Sequence, residues 1–516
     1  MQKYKFFDMV FFIMMAFIFT ALIFFQRTVE LPYLKEIAPI ACYLLPCLLL
    51  LYLWQRFMGK RCTSANLGHL RLACLLALLL QVFIAYHIWF YVGFDVGIVR
   101  ISAQYFVQGQ VYPYAPTYFA TNPNNTCIYF ITVLFLQIGK FFSVDGYYLL
   151  ILFGILCSNI ALYLTCRCVL LLTDSRAVVS GTFLLGLLLF GLSPWIFVPY
   201  SDILSLPLPI LTFYLYLQMK RKDTMPLWIK TSLICLPAIF GRLLKPTNLI
   251  ILIALAILFA LDLVRGQFQH GLKKAIVMLC TFAALFALSA LASKGMTSYL
   301  AIAPDKSVEK SFAHYAMMGL NEKTIGNYSQ TDDELSTSIY DYDAKKDANL
   351  TLLKKRLQDM GFSGYLYHVL RKTVCNFSNG TFGWGKEGAD FDEYIPQRSD
   401  GISRLLENFY YMKNTDADYV IGTGGKYFTY YVQLAQIVWI CTLLLCFYHA
   451  FLLLKRPSTS EECLIHLALL GIFAMVTLFE TNARYLISYL PFFVLCATTS
   501  KYQKPLCVEF QNLDSP

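Results

Sequence analysis

Charge is what this chain has least of: Asp, Glu, Lys and Arg together make up 14% of its 516 residues, against about 25% in an ordinary soluble domain. Histidine is scarcer still, at seven residues, and none of it stands in an HExxH helix. No Walker loop, dinucleotide-binding glycine fingerprint or serine-nucleophile elbow occurs in the strand-to-helix context that each requires. These absences exclude P-loop phosphoryl transfer, zincin-type proteolysis and Rossmann-type redox chemistry. Low-complexity tracts, heptad arrays and solenoid-type repeats are missing too. Cysteine is not scarce, with 16 residues, but its distribution excludes a disulfide scaffold. Cys42, Cys47, Cys74, Cys157, Cys235, Cys280, Cys441 and Cys446 lie inside apolar runs, where a thiol behaves as a small hydrophobe. Cys166 and Cys168 are one residue apart with no partnering Cys/His pair after them, so the spacing implies no metal site and no cofactor.

What fills the chain instead is apolar. Hydrophobic residues make up 58% and aromatics 16%, with a mean hydropathy of +0.55, far from the balance of a soluble domain. The formal net charge is +10, but the Lys and Arg sit mainly in short connections between apolar runs, where orientation in a membrane explains them. No nucleic-acid partner is implied. Apolar runs read as spans, some of them short, fall at 6–25, 37–54, 72–91, 147–166, 177–192, 203–217, 228–240, 249–263, 275–291, 427–454, 463–479 and 485–497. This predicts an all-α polytopic membrane protein with about 12 transmembrane helices. The first run lacks a cleavage pattern and is read as a retained helix with its N-terminus in the cytoplasm; Lys501 and Lys504 place the C-terminal tail on the same side.

One run, 126–142, has to be treated differently. Counted as a crossing, it would put Lys220, Arg221, Lys222, Lys273 and Lys274 outside, against the positive-inside rule. It is therefore expected to lie at the outer surface, within a first long external loop at 93–142. A second external stretch at 292–426 is expected to fold as a small α or α+β cap, since loops of such length are usually folded or functional. The organisation read from sequence is thus a membrane module at 1–291 that includes the 93–142 loop, a cap at 292–426, and C-terminal spans with a cytoplasmic tail at 427–516.

Ionisable groups in or beside spans are costly and so are functional candidates. In this topology Asp95, Asp202, Arg242, Lys245, Glu480 and Arg484 all fall at the outer ends of different helices. Each also has a plain structural reading. Asp95 and Asp202 suit helix N-caps, Lys245 suits a snorkelling lysine, and Glu480 with Arg484 suits a helical i, i+4 pair. The chemical reading makes Asp95 a general base toward an acceptor hydroxyl. Asp202 and Tyr200 then bind sugar or orient the acceptor, and Asn124 of the NPNN turn presents an amide to it. Lys245, beside helix-breaking Pro246, and Arg242 supply positive charge for a phosphate, joined by Arg484 with Glu480 holding it in place. His314 and the Asp332–Asp333 pair are read as structural and as solvated surface.

The order of these features resembles the GT-C superfamily of membrane glycosyltransferases, which includes protein O-mannosyltransferases and lipid A aminoarabinose transferases. A first-external-loop Asp95 is followed by a surface helix at 126–142, then Asp202 at the outer end of a later helix, then a short helix pair carrying Lys245. The likeness is best over 72–263, and the PYSD, GRLLKPT and ETNARYLISYLP stretches are similar to those of a Gram-positive bacterial branch. The chain departs from the pattern in having two spans before the one that leads to the Asp loop, and a single Asp95 where an acidic pair such as DxD is usual. The resemblance implies Asp95 as catalytic base, Asp202 as a second acidic site residue, and Lys245 with Arg484 as ligands of the donor phosphate. It implies transfer of a sugar from a polyprenyl-phosphate donor to a glycan, lipid or protein acceptor, on the extracytoplasmic face of a bacterial plasma membrane. Two alternatives stand beside it: a flippase or transporter of lipid-linked sugars, and a polysaccharide polymerase or ligase.

Overall fold

A computed structural model describes residues 4–29, 37–58, 67–173, 175–221, 225–265, 271–384, 400–414 and 422–499. The cationic connection at 59–66, Lys222 and the tail carrying Lys501 and Lys504 lie outside them. The protein is built from helices. In chain order the first thirteen are α1 (Lys5–Thr20), α2 (Ile40–Met58), α3 (Leu67–His87), α4 (Phe94–Val107), α5 (Ala115–Thr121), α6 (Thr126–Phe142), α7 (Gly146–Leu172), α8 (Arg176–Gly186), α9 (Ser201–Ser205), α10 (Pro207–Lys220), α11 (Leu227–Gly241), α12 (Ile250–Val264) and α13 (Gly271–Tyr299). The last group comprises α14 (Phe312–Met318), α15 (Gln330–Thr337), α16 (Tyr342–Phe377), α17 (Gly401–Tyr410), α18 (Phe428–Leu453), α19 (Ser460–Leu478) and α20 (Leu490–Thr499), with a short antiparallel ladder between β1 (Met412–Asn414) and β2 (Gly422–Gly424).

Among the described residues, nine helical segments are long and apolar enough to cross a membrane, and four shorter apolar ones accompany them. The chain is an integral membrane protein. Its outer surface fits lipid rather than water: only 6% of the most apolar stretch of α13 is buried, and Leu72, Leu75, Leu76 and Leu79 of α3 face outward. Polar groups inside the bundle join helices by hydrogen bonds, as a medium without water favours. Where α8 runs into a π-turn at Leu187–Gly191, the Gly191 carbonyl accepts from Gln81 Nε2 at 2.7 Å, and Asn159 Nδ2 bridges the Cys74 carbonyl at 3.0 Å to Gln81 Oε1 at 3.3 Å. Three helices are locked by that one network.

Helix ends sort the bundle into two poles. At one, Tyr91 just beyond α3 stacks edge-on against Tyr147 at the start of α7, so α4, α5 and α6 leave and return on the same side. Helix α6 stops at Ser143, which takes the left-handed φ of 56°. Asp145 then caps α7, accepting from Tyr148 N at 2.9 Å. Two glycines make the corner: a Cβ on Gly139 would stand 2.4 Å from Gly146 Cα. At the other pole Lys220 Nζ, ending α10, pairs with Glu461 at the start of α19, and Arg221 donates to the Leu171 carbonyl at the end of α7.

The stretch after α13 forms a helical cap on the first pole. Its beginning differs from expectation: α13 continues to Tyr299, because Ala, Ser and Gly after Leu291 carry no helix stop until the turn at Ala301. Helix α16 bends at Gly361, where φ is 59°. Asp332 is buried rather than solvated; Arg356 Nη2 reaches its Oδ1 at 2.6 Å and Asn321 Nδ2 its Oδ2 at 2.9 Å. A charge there is stable because a fork of donors replaces its water.

Candidate functional site

Four breaks in regular helix meet at the capped pole. Pro207 separates α9 from α10, Pro246 ends the turn after α11, the segment 479–482 separates α19 from a 3-10 turn at Ala483–Tyr489, and α4 begins after the extended run through Tyr91–Gly93. Each break turns a side chain inward. Lys245 is extended (φ −154°, ψ 119°), as the ring of the following proline requires, and Asn482 caps the Arg484 amide at 3.0 Å.

At the centre, Asp202 lies between two cations. Lys245 Nζ is ion-paired with its Oδ1, and Arg484 Nε stands 3.5 Å from its Oδ2. All three are buried, Asp202 at 2% exposure and both cations at 6%. Aromatic faces wall the cations in. The Arg484 guanidinium sits 5.0 Å from the Phe94 ring, 5.4 Å from Tyr200 and 5.8 Å from Trp195, and Lys245 Nζ 4.9 Å from Tyr485. Desolvating such a cluster costs about as much as its pairing returns, so it is a poor device for stability. Buried charge at a helix break is the pattern of a ligand site.

A chain of neutral hydrogen bonds runs from this cluster to Asp95. Tyr200 OH donates to Asn125 Oδ1 at 2.9 Å, Asn125 Nδ2 donates to Tyr118 OH at 2.6 Å, and Tyr118 OH donates to Asp95 Oδ1 at 2.6 Å. Burial pushes both phenols well above their ordinary range, and the Asp95 carboxylate adds to the shift. They therefore remain protonated donors. Asp95 itself is partly exposed, in the first turn of α4. Phe94 before it holds φ at +40°, a conformation that a bulky residue adopts only under constraint, here beneath Arg484 and edge-on to Tyr200 at 6.0 Å.

The cap grips the fourth break. Lys372 Nζ donates to the Gly319 carbonyl at 2.8 Å and to that of Phe479 at 2.5 Å, and Thr481 N donates to the Gly326 carbonyl at 2.7 Å. Burial lowers the Lys372 pKa to about 7, so its amine can be neutral in this clasp. Glu480, inside it, accepts from Tyr485 OH at 2.8 Å. On α14, burial raises the Tyr315 phenol, with Glu480 and Asp95 adding to the effect.

The structure thus brings Asp95, Tyr200, Asp202, Lys245, Glu480 and Arg484 to one pole, and none of the three acids fills its plain structural role. The N-cap positions belong to Gly93 and Tyr200 rather than to Asp95 and Asp202, and the backbone around Glu480 is not helical. Two expected members stand apart. Arg242 Nη2 donates to Ser289 Oγ at 2.9 Å and its guanidinium covers the Phe286 ring at 4.0 Å, both on α13. Asn124 is exposed and its neighbour Asn125 holds the buried place in the chain. Tyr118, Asn125, Phe94, Trp195 and Lys372 were not singled out from sequence; the one available signal was the NPNN turn, which points to either asparagine. His314 is structural in its contacts, its Nδ1 2.7 Å from Ser336 Oγ. The two carboxylates Asp95 and Asp202 are separately engaged, by a phenol and by cations.

A family model described as "Conserved hypothetical integral membrane protein" matches residues 5–504. No curated protein matches the chain. Among solved structures the chain is similar to ArnT from Cupriavidus metallidurans bound to undecaprenyl phosphate, at 13% identity and a TM-score of 0.30, with 84% of this chain and 78% of that one covered.

Proposed function

Since the chain belongs to the conserved hypothetical integral membrane protein family, its chemistry has to come from its site, and we propose that it is a membrane glycosyltransferase of GT-C type. It moves a sugar from a polyprenyl-phosphate carrier to an acceptor hydroxyl on the extracytoplasmic face of a bacterial plasma membrane. The observation that carries this reading is the buried Lys245–Asp202–Arg484 cluster at a pole shared with Asp95. Asp95 takes the proton of the acceptor hydroxyl as that oxygen bonds to the anomeric carbon. The bond from that carbon to the phosphate oxygen breaks, its electron pair stays on the phosphate, and the product is inverted. Lys245 and Arg484 stabilise the charge that grows on the leaving oxygen. Asp202 acts as their counter-ion until the phosphate takes its place, and Tyr200 and Asn125 line the path between donor and acceptor. Arg242 is left out of the phosphate site.

The helix ends support twelve crossings. Setting aside Pro123–Phe142 from the nine long segments and adding the four shorter ones leaves that number. Tyr299, at the capped end of α13, lies against both Phe130 and Gln137, on the flank of α6, as it would if α6 lay across that end rather than beside the span. Lys220, Arg221, Lys273 and Lys274 then share the cytoplasmic pole.

Binding of radiolabelled polyprenyl phosphate to the purified protein tests the cluster. Lys245→Met removes a charge-assisted contact and should weaken binding by about 10- to 100-fold. Asp202→Asn removes the competing anion and should strengthen it. Unchanged affinity in both folded variants would dismiss the phosphate site.

A further inference from the structure

At the pole opposite the transferase site, the α18–α19 hairpin places His449 one turn before the end of α18 and His466 near the start of α19. Their Nε2 atoms are 3.1 Å apart, facing each other. Cys496, near the end of α20, completes the group: the two imidazoles and the thiol each offer a ligand atom within 4.8 Å of the others. All three are buried, at 1% exposure for His449 and 0% for His466 and Cys496.

We propose that His449, His466 and Cys496 bind a zinc ion that staples α18, α19 and α20 at the cytoplasmic pole. Two imidazole nitrogens about 2.0–2.1 Å from one tetrahedral zinc stand roughly 3.3 Å from each other, close to the separation observed. The surroundings match those of a ligating histidine, whose second ring nitrogen typically faces a carboxylate. Asp8 of α1 supplies it, with Oδ1 3.4 Å from His466 Nδ1, while Phe11 stacks on the same ring at 4.4 Å and fixes its plane. Glu462 Oε1, 3.7 Å from His449 Nε2, stands within reach of a fourth position. Several polar atoms here, Asp8 Oδ1, His449 Nδ1 and His466 Nδ1, are buried without a hydrogen-bond partner.

Charge argues the same way. Asp8 and Glu462 are both wholly buried; Arg456 takes Glu462 with two bonds, at 2.6 and 2.9 Å, whereas Asp8 accepts a backbone amide from Ser458 at 3.3 Å. A divalent ion with a Cys496 thiolate brings this pocket to neutrality. The competing arrangement is a buried imidazolium between Asp8 and His449, which needs no metal.

Metal content of the full-length protein separates the two. After incubation with Zn²⁺ and dialysis against a weak chelator, mass-spectrometric elemental analysis should give about one zinc per folded chain. Loading with Co²⁺ should give the charge-transfer absorption of a cobalt–thiolate bond, absent in Cys496→Asp. Asp8→Asn keeps the shape and should weaken affinity by about 10- to 100-fold. Monodisperse wild-type protein that retains no zinc after that dialysis would overturn the proposal, and because the result is read on the wild type alone, a misfolded variant does not obscure it. The site lies at the pole away from Asp95 and Lys245, so its failure leaves the transferase reading untouched.

Discussion

Replacing Asp95 by Asn separates chemistry from architecture more cleanly than any other change at the site. Asp95 Oδ1 accepts the Tyr118 hydroxyl at 2.6 Å, and an amide oxygen at that place accepts it equally well. Its side chain caps no helix, so its charge adds to α4 only through the helix dipole, worth about 0.3–1 kcal/mol. What is lost is basicity. A positioned general base contributes about 100- to 10,000-fold, or about 2.7–5.5 kcal/mol of barrier. The assay is single-turnover transfer from a panel of radiolabelled polyprenyl-phosphate sugars to membrane acceptors, with melting temperature and polyprenyl-phosphate binding measured alongside. Asp95→Asn should lose transfer by that range and keep stability and binding. Tyr118→Phe is the counter-experiment. It takes the acceptor from Asn125 Nδ2, which donates to that phenol at 2.6 Å, and a buried donor left unmet costs about 1–3 kcal/mol. That variant should therefore lose stability as well as rate. Transfer by Asp95→Asn within threefold of wild type would refute the base assignment and favour a carrier that binds lipid-linked sugars without reacting them.

Three further outcomes follow from the geometry. Single cysteines at Gln110 and Asp347, both exposed on the capped pole, should react with an impermeant maleimide from outside intact cells above the background of the chain's own thiols, and cysteines at Arg221 and Lys273 should not; labelling at Arg221 would place α6 across the membrane. Gly326→Ala forces a side chain onto a φ of +72° with its Cβ 2.6 Å from the Gly319 carbonyl; it should cost about 1–3 kcal/mol and weaken polyprenyl-phosphate binding through the Glu480–Arg484 segment, whereas a lowered melting temperature with unchanged binding would uncouple the cap from the site. The cap should also soften in acid: burial lowers His314 and His368 to about 4, so between pH 6.5 and 4 the unfolded chain holds more protons and stability falls with pH, by up to about 3 kcal/mol for each ring. Proteolysis of the 312–377 region that is flat across that window would show both imidazoles to be solvated.

The polytopic membrane character was legible because a bilayer imposes a length and a composition on its helices, and both survive in the sequence as apolar runs. The five charges that meet at the capped pole, Asp95, Asp202, Lys245, Glu480 and Arg484, stood out for the same reason, as ionisable residues at the ends of such runs. Their partners did not. Arg242 and Lys245 are three residues apart, as if on one helical face, but the turn at Pro246 sends Lys245 to Asp202 and leaves Arg242 against Phe286 of α13. The relay through Tyr118 and Asn125 is made of neutral groups, whose types are common in any aromatic loop and whose meaning comes from packing alone. Asn124 and Asn125 cannot be ranked by composition; the 3-10 turn at Pro123–Asn125 decides which faces inward. The His449, His466 and Cys496 group escaped for a related reason, since its members come from three helices and leave no ligand spacing to find.

The Lys372 clasp has a consequence for how this protein can be taken apart. Boundaries at 291 and 427 look like natural cuts, with spans on either side and a soluble-looking insert between. Yet the segment that carries Glu480 and Arg484 is sutured by Lys372, Gly319 and Gly326 to the insert, and the wall beside Arg484 is closed by Trp195, whose Nε1 donates to the Thr381 carbonyl at 3.0 Å. A minimised chain made by deleting the insert would keep its bundle and lose the registration of its cations, and an insert grafted onto another bundle would carry half a clasp with nothing to hold. The placement of these cations is a property of the joint, and evolution or engineering can exchange the two parts only together.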